Sequence, residues 1–96
     1  MQFLLIAHDG TNPGAEILRT RVRPLHLENI SKYKKSGEFL FGGAIFNNEG
    51  KMVGSMIVYD VSSRERLDEI LKDEPYVYES VWQKIEIVPF QLANIK

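Results

Sequence analysis

The chain has 96 residues, 44% of them hydrophobic and 26% charged, with a formal net charge of −1 and no cysteine. This composition is typical of one globular domain over residues 1–96, able to bury roughly 60–65% of the surface that its unfolded chain would expose. The lack of cysteine excludes disulfides and thiolate metal sites, and it fits the cytoplasmic protein that we expect. The net charge is close to zero, unlike that of proteins that bind nucleic acid or an acidic membrane, so we expect neither of these as a partner.

The first part of the chain predicts a strand followed by a helix. Residues 2–8 are rich in aromatic and branched apolar side chains, which indicates a strand, and the run is too short for a signal peptide or a membrane span. Residues 15–36 carry apolar side chains at helical spacing. Because Pro24 would break one long helix, we predict a short helical piece at 14–20 and a main helix from about residue 22.

The rest of the chain predicts two strands, a second helix and a last strand. Residues 38–46 and 52–61 are the two strands, with a turn rich in Asn and Gly between them. Ser62 and Glu65 fit a capping box that opens the helix, and residues 81–88 alternate apolar and charged side chains. The order β-α-β-β-α-β predicts a ferredoxin-like α+β fold, a four-stranded antiparallel sheet with both helices on one face.

Both faces of the first three strands are predicted to be apolar. Strict alternation divides the first strand into two apolar sets, Phe3, Leu5 and Ala7 against Leu4 and Ile6. In the second strand the same alternation places Phe39 and Phe41 on one face. An apolar sheet face without helices needs a cover, and a second copy of the chain is the simplest one. We therefore expect a homodimer that packs sheet against sheet.

His26 is the most informative polar residue, because it interrupts an apolar helical stripe. At about 100° per residue, Val22, His26, Ile30 and Tyr33 fall within roughly 80° of one another. A buried imidazole needs a hydrogen-bond partner, and a core histidine bonded to a backbone carbonyl is one interpretation. The other is an acid/base group, since imidazole is suited to moving protons near neutral pH.

Three carboxylates are candidates to orient this imidazole. Asp9 ends the first strand, which adjoins the start of the first helix in a βαββαβ domain, while Asp73 and Glu74 directly precede Pro75. The residues alone leave open which of them contacts His26. Because the two histidines lack metal-ligand spacing, no metal site is expected.

Taken together, several short motifs resemble the YciI-like (YCII-related) family in order and spacing across nearly the whole chain. They are Ile6-Ala7-His8-Asp9, Val22-Arg23-Pro24-Leu25-His26-Leu27, Gly42-Gly43-Ala44, Gly54-Ser55, Glu74-Pro75-Tyr76-Val77 and Val88-Pro89-Phe90. The resemblance implies a dimeric ferredoxin-like α/β barrel. It also implies a site around a histidine and an aspartate, and some relatives are small enzymes acting on aromatic rings, including a dehydrochlorinase, without metal or organic cofactor.

By position, the resemblance assigns the family histidine to His26, the acidic residue to Asp9, the arginine to Arg23 and the serine to Ser55. The chain departs from the family at Glu74, where Asp is usual before Pro and an aromatic residue. The longer side chain would be tolerated if that carboxylate caps a turn, but would disturb catalysis if it holds the histidine at a fixed distance.

Two functions are therefore predicted. The first is a cofactor-independent lyase or isomerase in which His26 is the general acid/base, Asp9 or Glu74 orients it and Arg23 binds an anionic group of the substrate. The second is a non-catalytic module that binds a small anionic molecule. Either function needs a pocket between the first helix and the sheet, and we expect Tyr33, Phe41 and Tyr76 to line it, with Ser55 facing it.

Overall fold

The computed structural model describes residues 1–95, and its elements follow the predicted β-α-β-β-α-β order with one extra short helix before the last strand. The elements are β1 (Gln2–Asp9), α1 (Ala15–Ser36), β2 (Phe39–Phe46), β3 (Met52–Asp60), α2 (Arg64–Lys72), α3 (Pro75–Tyr78) and β4 (Trp82–Phe90).

The four strands form one antiparallel sheet in the order β2-β3-β1-β4. The core lies between this sheet and the helices, where Phe3 and Leu5 of β1 pack in one cluster with Val22 of α1 and with Leu67 and Ile70 of α2. The predicted ferredoxin-like α+β fold is therefore confirmed. None of the helices in residues 1–95 combines the length and the hydropathy that crossing a bilayer requires.

The first helix is continuous, so the predicted division into two pieces is wrong. α1 runs from Ala15 to Ser36 with Pro24 inside it. Proline removes one backbone donor, which leaves the carbonyl of Thr20 without its helical partner. Both Thr20 and Pro24 lie on the exposed side of the helix, where water can bond that carbonyl. The core contacts on the opposite side hold the helix together through the proline.

The second helix begins one residue later than the capping box predicted. The N-cap is Ser63 rather than Ser62, and its hydroxyl accepts from the backbone N–H of Arg66 at 3.1 Å. A third helix follows directly, with Pro75 in its first turn and Glu74 as its N-cap. Proline suits that position because the first turn has no internal partner for its N–H.

A bulge in β2 corrects the predicted faces of this strand. Phe39 pairs with Tyr59, but Phe41 pairs with Val58, so Leu40 is the extra residue. Phe39 is therefore buried on the helix face, whereas Phe41 lies on the other face and is 42% exposed. The face without helices is apolar in the first three strands, as predicted, whereas β4 places Lys84 and Glu86 on it. The register also places one row of apolar residues across all four strands. That row consists of Phe41, Val58, Leu4 and Val88.

Candidate active site

The imidazole of His26 is bound to a buried carboxylate. Its Nδ1 lies 2.8 Å from Oε2 of Glu74, and the two side chains are only 8% and 1% exposed. His26 projects from the middle of α1, while Glu74 lies 48 residues further on, at the start of α3. This contact thus joins two helices in the interior that are distant in the chain.

The same Glu74 oxygen has a second role. Oε2 also accepts from the backbone N–H of Tyr76 at 2.8 Å, which is the N-cap bond of α3. A carboxylate that accepts two hydrogen bonds is held in one orientation, and it requires the proton of a neutral imidazole to be on Nδ1. The Nε2 atom of His26 then carries the free lone pair. No partner for Nε2 occurs among residues 1–95.

Two aromatic side chains fix the plane of the imidazole. Tyr76 stacks on it with ring centroids 4.0 Å apart and an interplanar angle of 10°, and Trp82 meets it edge-on at 6.1 Å. Tyr76 is completely buried. Burial raises the pKa of its hydroxyl, an effect that the guanidinium groups of Arg19 and Arg23 only partly offset. Tyr76 therefore stays neutral, and its hydroxyl has no hydrogen-bond partner within residues 1–95.

A second buried network lies beside the first. Nη1 of Arg19 contacts both carboxylate oxygens of Asp9, at 2.9 and 2.8 Å, and Nη2 donates to Oγ of Ser55 at 3.1 Å. The indole Nε1 of Trp82 donates to the same Ser55 oxygen, also at 3.1 Å. The guanidinium of Arg19 lies over the ring of Tyr76, 4.8 Å from its centroid. This contact links the two networks.

A cavity of about 130 Å³ opens between α1 and the sheet, next to both networks. Its lining residues are Arg19, Arg23, His26, Leu27, Ile30, Phe39, Gly42, Gly43, Ala44, Ser55 and Ile57. The predicted pocket is therefore at the predicted place, but with a different aromatic lining. Phe39 takes the place expected for Phe41, because of the bulge at Leu40, while Tyr33 and Tyr76 belong to the core behind it.

The structure separates the three candidate carboxylates. Glu74 contacts His26, and Asp9 is bound to Arg19 instead. Asp73 accepts from Lys32 at 2.7 Å and from the hydroxyl of Tyr33 at 3.0 Å, contacts that lower the pKa of Asp73. Asp9 therefore does not orient the imidazole directly, and reaches the cavity only through Arg19 and Ser55.

Arg23 also lines the cavity, and it carries a charge that no described carboxylate neutralises. Its Nη1 lies 3.5 Å from Sδ of Met52, and it forms no ion pair within residues 1–95. A second cavity of about 340 Å³ lies on the outer side, between α1 and α3, where Asn29, Lys32 and Tyr78 line it. Asp73 is the one predicted candidate among its lining residues, and this cavity includes neither His26 nor Arg23. No cluster of three or more His, Asp or Glu side chains in the described part of the chain is placed to hold a metal ion.

Two residues of the site were missed in the sequence. Arg19 is buried on α1 at the same spacing as Val22 and His26, a signal that was hidden because Pro24 suggested a helix starting near residue 22. Trp82 is the only tryptophan of the chain and lies opposite Asp9 in the sheet register. Its position next to the first strand follows from strand pairing, which the sequence does not show directly.

A family model described as the YCII-related domain matches residues 1–91. The chain belongs to this family. The YCII-related protein is also similar to aspercryptin biosynthesis cluster protein B of Emericella nidulans, with 30% identity over 81 residues. That match covers 75% of this chain but only 52% of the relative, so the chain spans about half of the relative's length.

Among solved structures, the YCII-related protein is similar to 5-chloro-2-hydroxyhydroquinone dehydrochlorinase from Burkholderia phenoliruptrix AC1100, solved in complex with 2,5-dihydroxybenzoquinone. The TM-score is 0.82 at 17% identity, covering 97% of this chain and 96% of the other. An antibiotic biosynthesis monooxygenase matches with a TM-score of 0.53 at 16% identity, covering 95% of this chain and 98% of the other. At these identities the likeness shows the fold, which agrees with the ferredoxin-like arrangement described above.

Proposed function

We propose that the protein is a small cofactor-independent enzyme, of the lyase or isomerase type, in which His26 is the general acid/base. The observation that carries this proposal is the buried contact of 2.8 Å between His26 and Glu74 beside a cavity. A carboxylate that holds one imidazole nitrogen leaves the other free to take a proton from a bound molecule and to return it elsewhere. A core histidine bonded to a backbone carbonyl would not be paired with a carboxylate in this way.

The proposed substrate is a small anionic compound, in which one oxygen or one C–H group gives its proton to Nε2 of His26. Arg23 is the group proposed to bind the negative charge, because its guanidinium lines the cavity without a carboxylate partner among residues 1–95. Ser55 and the Asp9–Arg19 pair supply further polar groups on the same side. Tyr76 and Glu74 act by holding the imidazole in place.

The cavity size supports a compound with a single ring. A protein cavity of about 150 Å³ holds one benzene molecule, and the cavity here is about 130 Å³. The similar dehydrochlorinase was solved with 2,5-dihydroxybenzoquinone, which is a single ring bearing oxygen atoms. We therefore propose oxygen-bearing aromatic or quinonoid rings as the first substrates to test.

The decisive experiment replaces His26 with Gln and uses His8→Gln as the matched control. His8 is the only other histidine and lies exposed at the end of β1. Two readouts apply, namely chloride release from 5-chloro-2-hydroxyhydroquinone and incorporation of deuterium from D₂O into hydroxylated aromatic rings. We expect His26→Gln to lower either rate by at least about 100-fold, because a positioned general base contributes about that much. His8→Gln should retain the wild-type rate.

Two results would contradict this function. Full turnover by the His26→Gln variant would show that the imidazole is not the acid/base group. Binding of ring compounds by the wild type without turnover of any of them would favour the alternative, a module that binds a small anionic molecule without changing it. A thermal shift that saturates with ligand concentration would measure such binding.

We also propose that the protein is a homodimer and works in the cytoplasm. The apolar row across the sheet face without helices leaves Phe41 42% and Val88 44% exposed, and a second copy packed against this face would bury both. The cytoplasmic location rests on the absence of cysteine in the whole chain, which fits a reducing compartment.

A further inference from the structure

The hydroxyl of Ser55 occupies an unusual position at the wall of the cavity. Ser55 is only 2% exposed and lines the cavity together with His26 and Arg23. Its Oγ accepts two hydrogen bonds of equal length, 3.1 Å from Nη2 of Arg19 and 3.1 Å from Nε1 of Trp82. Both donors are themselves buried.

The chemistry of these two partners fixes the direction of the Ser55 proton. Guanidinium and indole N–H groups only donate, and a serine hydroxyl has two lone pairs and one proton. Arg19 and Trp82 therefore use both lone pairs, and neither can accept the proton. No acceptor for the Ser55 O–H occurs among residues 1–95. The remaining direction available to the proton is the cavity that Ser55 lines.

The two partners are themselves held rigidly. Asp9 accepts from Arg19 through both carboxylate oxygens, and the side chains of this ion pair are 6% and 4% exposed. Trp82 lies opposite Asp9 in the pairing of β1 with β4. This strand pair therefore carries both the indole donor and the carboxylate that binds Arg19. Neither donor can turn away without breaking a buried contact. The Nε–H of Arg19 is also buried without an acceptor in the described residues, which leaves this wall with donors in excess.

We propose that Arg19 and Trp82 are positioning residues that make the Ser55 hydroxyl an obligate hydrogen-bond donor to the bound molecule. The ligand then presents a carbonyl oxygen or an oxyanion at Ser55, and an acidic proton at Nε2 of His26. A ligand with only a donor group at the Ser55 position is rejected, because the site offers no acceptor there. This inference deepens the proposed function, since it uses the same cavity, but it concerns binding rather than turnover.

The test is a double-mutant cycle with two probes that carry acceptor oxygens, 2,5-dihydroxybenzoquinone and benzoate. Dissociation constants are measured by calorimetry for the wild type, Ser55→Ala, Trp82→Phe and the double variant. We expect Ser55→Ala to weaken binding of at least one probe by about 10-fold or more, as a lost hydrogen bond to a charged acceptor does. Trp82→Phe should weaken it several-fold, and should have no further effect in the Ser55→Ala background.

If Trp82→Phe proves unstable, an NMR measurement that keeps Trp82 in place still tests the proposal. The NMR signal of the Trp82 indole N–H should move upfield in Ser55→Ala, where its acceptor is missing, and should shift in the wild type when a probe binds. The proposal is overturned if the wild type binds neither probe, if Ser55→Ala binds both as tightly as the wild type, or if Trp82→Phe weakens binding equally in both backgrounds. If the probes bind in a way that depends on Ser55 but no compound is turned over, the proposed enzymatic function is contradicted. The proposal that Ser55 donates a hydrogen bond to the bound molecule is then still supported.

Discussion

At the scale of single residues, the length of the Glu74 side chain matters most. The resemblance implies the shorter Asp at this position, and the sequence leaves two roles open for the carboxylate, capping of a turn or holding the histidine at a fixed distance. One oxygen of Glu74 does both, because it accepts from the Tyr76 amide and from the His26 ring. Glu74 therefore both caps α3 and holds the imidazole of His26.

Replacing Glu74 with Ala should destabilise the protein by about 2–4 kcal/mol, because it leaves a buried imidazole N–H unpaired and removes the N-cap of α3. Glu74→Asp should lose less stability, since Asp is a good N-cap, but should lower activity because its carboxylate is drawn back from His26. Urea unfolding and the two turnover assays measure these effects. Glu28→Ala, on the exposed side of α1, is the control. An unaltered unfolding midpoint for Glu74→Ala would contradict the buried contact.

His26 could be singled out from the sequence because a polar residue interrupting an apolar stripe is visible in the periodicity. The choice among Asp9, Asp73 and Glu74 could not be made in that way, since it depends on where the chain between α2 and β4 turns. Arg19 was missed for another reason. Its long side chain reaches Asp9 and Ser55 in the interior, although an arginine in a surface helix is usually exposed.

At the scale of the elements, local signals predicted the order correctly, with strand ends within two residues, but they misplaced the starts of both main helices. Pro24 predicted a break, yet α1 continues through it, because packing of its buried side outweighs the one missing backbone bond. Ser62 and Glu65 matched the capping-box spacing, but the adjacent Ser63 provides the cap. In the first case core packing overrides a local rule, and in the second two adjacent serines both suit the cap position, so spacing alone does not choose between them.

The ion pair between Glu38 and Arg66 ties α2 to the start of β2 and predicts a pH dependence of stability. Nε and Nη2 of Arg66 contact the two oxygens of Glu38 at 2.7 and 3.0 Å, and this contact lowers the pKa of Glu38 below its ordinary value of 4.5. The stabilisation is therefore fully present above that ordinary value. It is lost as the pH falls through the lower pKa of the folded state.

We expect Glu38→Gln to have lower stability than the wild type at pH 7, with a gap that narrows as the pH falls from about 5 towards about 3. Urea unfolding over this pH range measures the gap. High salt should reduce it at pH 7, since Arg66 lies at the surface. Glu65→Gln, an exposed neighbour in the first turn of α2, is the control. A gap that stays constant with pH would show that the effect is not the titration of Glu38.

At the scale of the whole molecule, the sheet has apolar residues on both faces. Alternation in β1 predicted this correctly, with Leu5 on the helix face and Leu4 on the other. The bulge at Leu40 was not predictable, because nothing in an apolar run shows where an extra residue will be inserted. The consequence is that Phe39 lines the cavity and Phe41 belongs to the proposed dimer face.

We expect the wild type to elute as a dimer, and Phe41→Lys and Val88→Lys to elute as monomers, because a lysine in the apolar row would have to be buried without a partner. Size-exclusion chromatography with light scattering gives the mass directly. Ile17→Lys is the matched control, since Ile17 is an exposed apolar residue on the helix side, 70% exposed. A monomeric wild type at high concentration, or dissociation by Ile17→Lys alone, would contradict a dimer through the sheet.

The shared oxygen of Glu74 makes the first turn of α3 sensitive to what happens at His26. When the imidazole gains or loses charge, the same carboxylate oxygen accepts more or less strongly from the backbone N–H of Tyr76, which lies 2.8 Å away. The Tyr76 amide is therefore a natural spectroscopic reporter of the protonation state of His26. Its resonance can be followed without any label on the histidine itself, through every step in which a bound molecule exchanges a proton with the ring.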